Sequence, residues 1–123
     1  MKRILFIDQD LDGGGAERVM CNVIRNISAE EYEIYLILIT KEGALAALIP
    51  DYVRKTVLKI QRTRKALIPL IKTIRNIRPD IVYTTTIRTA IAGIIARYFC
   101  NNYKIITRFP MMPNLLFSWN IIK

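Results

Sequence analysis

An α/β fold, with a parallel β-sheet covered by helices on both faces, is what this sequence predicts, and three observations carry the prediction. Runs of consecutive large apolar residues recur, Ile4–Ile7, Ile34–Ile39 and Ile81–Tyr83, without the polar alternation of a strand that has one face in water. Between them, apolar residues return at helical spacing: Val19, Met20, Val23, Ile24 and Ile27, then Leu67, Leu70, Ile71, Ile74 and Ile77. Gly13-Gly14-Gly15 stands where the first strand hands over to the first helix. Strands alternating with helices join by right-handed crossovers, and the natural strand order is 3-2-1-4-5.

The first strand covers Arg3–Asp8 and ends in the acidic turn Asp8-Gln9-Asp10. The first helix runs from Gly15 to Ile27, with Glu17 near its positive end and Arg25 near its negative end, both suited to the helix macrodipole. Glu31-Tyr32-Glu33 leads into a central strand, Ile34–Thr40, that is apolar on both sides. Lys41-Glu42-Gly43 turns the chain, a short helical piece Ala44–Ile49 stops at Pro50, and Val53–Leu58 reads as an edge strand. From Thr63 the helical period returns. Pro69 fits it in the first turn, where backbone N–H groups have no partner inside the helix. Pro79 ends that helix, Asp80–Thr84 is the next buried strand, and Thr85-Thr86 is its exit turn. Ile91, Ile94, Ile95, Tyr98 and Phe99 mark a further helix, in which Ala90, Ala92, Gly93 and Ala96 permit close packing. Asn101-Asn102 breaks it, Lys104–Arg108 is a fifth strand, and Phe109–Pro113 is a rigid loop.

Composition excludes several functions. Apolar residues make up 52% of the 123, yet no uninterrupted run approaches the ~18 that cross a bilayer. A strand begins almost at once without a cleavable signal pattern, which implies a cytoplasmic protein. Cys21 and Cys100 both sit in apolar helical patterns and are expected to be buried free thiols. Histidine is absent, which rules out histidine metal sites, Ser-His-Asp triads and imidazole bases within the chain. No paired-cysteine metal spacing exists either, and no Gly-Lys-Ser/Thr is present, so a P-loop is excluded.

The glycine turn has the local chemistry of an anion site, because β-carbons are missing where backbone N–H groups and a helix N-terminus converge. A sharp bend alone also accounts for such glycines. In a sheet of the expected order, ligands bind beyond the carboxyl ends of the strands where the order reverses, between the first and fourth strands. This sets Asp8–Gly15 beside Tyr83–Arg88 in one crevice. The stretch Lys2–Ile7, then Leu11-Asp12-Gly13-Gly14-Gly15-Ala16-Glu17-Arg18-Val19 with Asn22 and Asn26, resembles the start of retaining GT-B glycosyltransferases of family 4, the group-1 transferases. Arg78-Pro79-Asp80-Ile81-Val82 is similar to that family's Pro-Asp-Ile/Val-Val-His strand.

The resemblance implies half of a GT-B architecture: a Rossmann-like N-terminal domain, residues 1–113, that binds the acceptor and faces the diphosphate of a UDP- or GDP-sugar donor. It implies Gly13, Gly14 and Gly15 as the phosphate-facing turn, shaped by Asp8 and Asp12. Asp12, Thr84, Thr85, Thr86, Arg88 and Arg108 are implied as acceptor-binding, with Met111–Pro113 at the rim. The sugar would pass to a glycan or lipid-linked acceptor, as in polysaccharide or lipopolysaccharide assembly, with no metal or other cofactor. Tyr83 and Thr85 stand where the family commonly has histidines, and neither protonates near neutral pH. The family's donor-binding domain with its paired glutamates is missing from the 123 residues. Activity is therefore expected only when a C-terminal half is supplied, and residues 114–123 read as an apolar tail that begins a truncated or partner-docking segment.

Charge is unevenly spread. Residues 1–51 carry five cations and nine anions, residues 52–80 nine cations and one anion, and residues 81–123 five cations and no anions. Arg64, Lys65, Lys72, Arg75 and Arg78 lie beside the stripe Leu67, Leu70, Ile71 and Ile74, an arrangement that can rest on an anionic leaflet as a peripheral contact. The same stripe can instead pack on the sheet and leave the charges in water. Two rivals stand beside the transferase reading. A dinucleotide domain needs G-x-G-x-x-G/A, whose third position falls on Arg18, and an acid after the second strand, where only Glu42 is near. Nucleic acid is not expected, because the basic run 54–78 carries no aromatic residues for stacking.

Overall fold

The computed structural model describes residues 2–11, 15–61, 63–85, 87–99, 103–108 and 116–118. Strand β1 is Lys2–Asp8, helix α1 Gly15–Asn26, strand β2 Tyr32–Leu38 and strand β3 Arg54–Val57. Helix α2 is Leu67–Ile77, strand β4 Ile81–Thr84, helix α3 Ile87–Phe99, strand β5 Lys104–Arg108 and strand β6 Leu116–Ser118. Single-turn 3-10 helices occupy Ala44–Leu48 and Thr63–Ala66. The sheet order is β3-β2-β1-β4-β5-β6. The first five strands are parallel in the expected order, with Asp8 opposite Leu38 and Ile7 opposite Thr84.

β6 is the difference from the sequence reading. Within the tail read as seeking an outside partner, Leu116–Ser118 pairs antiparallel with β5, Ile106 opposite Ser118. The backbone groups on that edge of β5 thereby gain partners in the same chain, which is what an edge strand otherwise lacks.

Alternation along β1 feeds two cores. Ile4 and Phe6 join Met20, Cys21 and Ile24 of α1 on one face, while Leu5 and Ile7 join Leu70 and Ile74 of α2 and Ala92 and Ala96 of α3 on the other. Cys21 is buried as a free thiol, as the helical pattern implied; Cys100 lies outside the described residues. Leu70 and Ile74 are fully buried, and Leu67 and Ile71 pack against them, so the apolar stripe offered to a membrane is spent on the sheet. The reason is geometric: a crossover helix must bury its apolar stripe against the sheet it spans.

The amino ends of the strands are locked by polar bonds. The Arg3 backbone N–H donates to Asp80 Oδ2 at 2.9 Å, Asp80 N–H donates to the Arg3 carbonyl at 2.8 Å, and the Arg3 guanidinium reaches Glu33 at 3.0 Å. The Pro-Asp-Ile-Val block thus contributes an anchor at the end of the sheet opposite Asp8. α2 ends at Arg78, which takes the left-handed conformation at φ 52° and donates its N–H to the Ile74 carbonyl at 2.8 Å before Pro79 forbids another turn.

Gly93, inside α3, tests how tight this layer is. A β-carbon there would lie 3.7 Å from Thr84 Cγ2 and 3.9 Å from Val82 Cγ1, ordinary contact distances. Gly93→Ala is therefore expected to stabilise the fold by about 0.5–1 kcal/mol through helix propensity, read as a higher urea midpoint. A midpoint that falls would show that the layer has no room for the methyl.

Candidate functional site

The carboxyl edge of the sheet, where β1 and β4 separate their crossovers, gathers the groups that can bind a ligand. Asp8 closes β1 there. It is 1% exposed, its Oδ1 accepts the Gln9 N–H at 2.7 Å, and its Oδ2 has no hydrogen-bond partner. Burial pushes its pKa from 3.8 up to about 7, and the negative charges of Glu17 and Asp10 add to the rise. The Gln9 N–H and the neighbouring Thr85 hydroxyl pull it back only in part. Thr85 stands close enough to act on the carboxyl, but its Oγ1 forms no hydrogen bond of good geometry.

The floor below Asp8 is fixed by backbone bonds to the segment after β2. The N–H groups of Ile39 and Thr40 donate to the carbonyls of Asp8 and Gln9 at 3.0 and 2.8 Å. Leu11 N–H donates to the Glu42 carbonyl at 3.1 Å, and Leu45 N–H to the Leu11 carbonyl at 2.7 Å. Residues 8–11 are thus held along the sheet edge. Glu17, in the first turn of α1, suits the positive helix end. One turn on, burial raises the Cys21 thiol pKa, and the Asp8 charge adds to the effect, so Cys21 is an inert packing residue.

Gly15 opens α1, and a β-carbon placed on it meets nothing within 4 Å among the described residues. Its φ is not in the left-handed region either. Among the described residues, neither crowding nor backbone conformation requires glycine at this position.

Thr84 and Thr85 are both buried at the end of β4, but they point apart. Thr84 Cγ2 lies against α3 beside Gly93, whereas Thr85 faces the Asp8 carboxyl. Asp12, Gly13, Gly14, Thr86 and Met111–Pro113 lie outside the described residues, as do the side chains of Arg64, Arg88 and Arg108. Lys65, Lys72, Arg75 and Arg78 are exposed along α2 and its approaches. Glu42, the acid nearest a dinucleotide ribose position, is instead paired with Lys55 at 3.4 Å. The residue that sequence reasoning undervalued is Thr40, whose hydroxyl after β2 is buried without a partner. An acid ending a fully apolar strand was the available signal for this edge, and it drew attention to Asp8 only as a residue that shapes the turn.

Among the described residues, no cluster of three His, Cys, Asp or Glu side chains could hold a metal ion. No helix among them is long and apolar enough to cross a membrane. Comparison with protein-family models finds no match, and comparison with curated proteins finds none either.

Proposed function

We propose that this chain is the acceptor-side half of a GT-B-type glycosyltransferase, working on a glycan or lipid-linked acceptor once a donor-binding half is present. The observation that carries the reading is Gly15: it opens a 12-residue helix at the edge where ligands bind in such sheets, and nothing among the described residues requires it to be glycine. A missing side chain at a helix N-terminus lets a charged ligand approach the backbone N–H groups. A departing diphosphate gathers negative charge as the glycosidic bond breaks, and preorganised N–H groups stabilise it there. The burial of Asp8 supports the same reading, because a carboxyl that titrates at about 7 stays largely neutral below neutrality and repels a nearby phosphate little. The pairing of Glu42 with Lys55 weighs against the dinucleotide alternative.

The test is sugar transfer from UDP- and GDP-sugars to membrane lipid extracts, with the chain co-expressed with a GT-B donor-binding domain from the same genome. Transfer that requires both parts is the expected result. A completed pair that transfers no sugar contradicts the reading.

The acceptor's lipid would place the domain on the cytoplasmic face of a membrane, and the outer surface of the α2–α3 layer suits an anionic one. Lys65, Lys72, Arg75 and Arg78 are exposed, Ile68 between them is 67% exposed, and Ile91, Ile95, Tyr98 and Phe99 stand out from α3. Neither helix carries an acid. Each cation near such a surface contributes about 1 kcal/mol, enough together for reversible binding. The chain is expected to sediment with vesicles containing phosphatidylglycerol and not with pure phosphatidylcholine. Lys72→Glu with Arg75→Glu is expected to reduce that binding at least tenfold.

A further inference from the structure

Lys59 follows β3 at the carboxyl edge of the sheet, two strands from Asp8, a separation of roughly 10 Å. Its φ is 60°, in the left-handed region. Residues with a β-carbon resist that conformation, and glycine or asparagine adopts it with less strain. Leu58 N–H donates to the Leu38 carbonyl at 2.9 Å and Ile60 N–H to the Ile39 carbonyl at 2.8 Å. Two residues advance here for one on β2, so Lys59 is the extra residue of a bulge. Leu58 and Ile60 pack on the core of the α2 side, and Lys59 between them is exposed. The fold fixes this stretch of backbone and leaves the side chain to other demands.

A cation at this point runs against local physics. Arg78 is the other non-glycine left-handed residue among those described, but it caps the negative pole of α2, where a cation is favoured. Lys59 stands on the approach to the positive pole of the same helix, where a cation is disfavoured. The sequence from Lys59 to Ala66 adds Arg62, Arg64 and Lys65 and no acid. α2 itself has no side-chain cap and no acid in its first turn. Arg54 is engaged by the Tyr35 hydroxyl at 2.9 Å and Lys55 by Glu42 at 3.4 Å; Lys59 has no ion-pair or hydrogen-bond partner of this kind among the described residues. Next along the edge, beside Ile39, Thr40 Oγ1 is buried without a hydrogen-bond partner. Positive charge and unused polar capacity thus gather at one stretch of the edge without a counter-charge from the chain.

Strain held in place at a ligand-binding edge, with a bulge that re-aims one side chain, is characteristic of functional positions. A concentration of cations matches a compact anion with several oxygens. No aromatic residue stands between Tyr52 and Tyr83 to stack a base. We infer that Lys59 binds a phosphate ester at this edge, its ammonium donating to the phosphate oxygens as a point charge. A soluble ester and a lipid headgroup offer the same chemistry, and the test separates them. The inference rests on the bulge and the charge around it and not on the sugar-transfer reading.

Amide NMR of the full chain follows Lys59 and Ile60 while inorganic phosphate, glycerol 3-phosphate or phosphatidylglycerol vesicles are added at constant ionic strength. Saturable shifts are expected. Lys59→Gln is expected to weaken binding by about tenfold or more, and Lys59→Arg to retain most of it. Lys59→Gly is expected to raise the urea midpoint, because it relieves the left-handed strain, and to lose the phosphate. Lys104→Gln, at the opposite edge of the sheet, is expected to bind as the parent does. Saturation by the soluble esters identifies a free ester as the ligand; saturation by the vesicles alone, lost in Lys59→Gln, identifies a headgroup. Shifts that sodium chloride reproduces overturn the inference, as does phosphate binding by Lys59→Gly at the parent's affinity. Equal losses in Lys59→Gln and Lys104→Gln also overturn it, because diffuse charge would then be enough. None of these readouts involves sugar transfer, so the site and the transferase reading stand or fall separately.

Discussion

Asp8→Asn is expected to raise the thermal midpoint of the chain at pH 8 and to leave it almost unchanged at pH 4. The Asp8 carboxyl titrates at about 7 in the fold against an ordinary 3.8, so between these values the folded chain keeps a proton that the unfolded chain has lost. Stability is then fullest below pH 4 and falls as pH rises toward 7 and just beyond. Ionising this carboxyl in the fold costs on the order of 4 kcal/mol relative to the unfolded chain. Asparagine never ionises, and it retains an oxygen for the Gln9 N–H that Asp8 Oδ1 now accepts at 2.7 Å. The gain at pH 8 is expected to be roughly 2–4 kcal/mol, a large share of a domain's usual stability. Thermal scans of both proteins from pH 4 to 8 check it; parallel curves would mean that Asp8 ionises in the fold as freely as in water.

Phe6→Ala is expected to cost about 3–5 kcal/mol. Phe6 is 1% exposed at the centre of β1, and its ring lies 5.3 Å from that of Tyr83 on β4, tilted by 47°. Truncation removes that contact and leaves a cavity between α1 and the sheet that the closed strand pairing cannot collapse around. Ile68→Ala, at a position 67% exposed on α2, is expected to change stability by no more than about 0.5 kcal/mol. Urea unfolding of the two variants separates core from surface. Equal effects would contradict the assignment of β1 as the shared wall of both cores.

What was legible in the sequence follows from how local each signal is. Ile4–Ile7 and Ile34–Ile39 show two-sided burial directly, because a strand buried on both faces needs no polar alternation. Arg54–Val57 was readable only as an edge, and its largely exposed residues explain why its pattern is weak. Leu67, Leu70, Ile71 and Ile74 have one spacing whether they meet a membrane or a sheet, and only the crossover between β3 and β4 decides for the sheet. β6 had no local pattern of its own, since its pairing depends on the free edge of β5.

The site was partly legible for the same reason. Gly15 and the strand ends were visible as a motif, and the pleat alone sends Thr84 and Thr85 to opposite faces, but which of them meets Asp8 depends on the register of β4 against β1. The burial of Asp8 ran against the expectation that an acid at a turn faces water. Nothing in its neighbours along the chain announces that Glu17, Cys21 and Thr85 converge on it from α1 and β4.

If Gly15 is glycine for a ligand and not for the fold, one paired measurement on Gly15→Ala shows it. Under the proposed function the variant is made in the chain co-expressed with a donor-binding half, and its thermal midpoint and rate of sugar transfer are compared with those of the parent. An unchanged midpoint is expected, since the added methyl meets nothing within 4 Å among the described residues, together with a loss in kcat on the order of tenfold to a hundredfold. Transfer at the parent rate, or a fall in midpoint that matches the loss of activity, would contradict it.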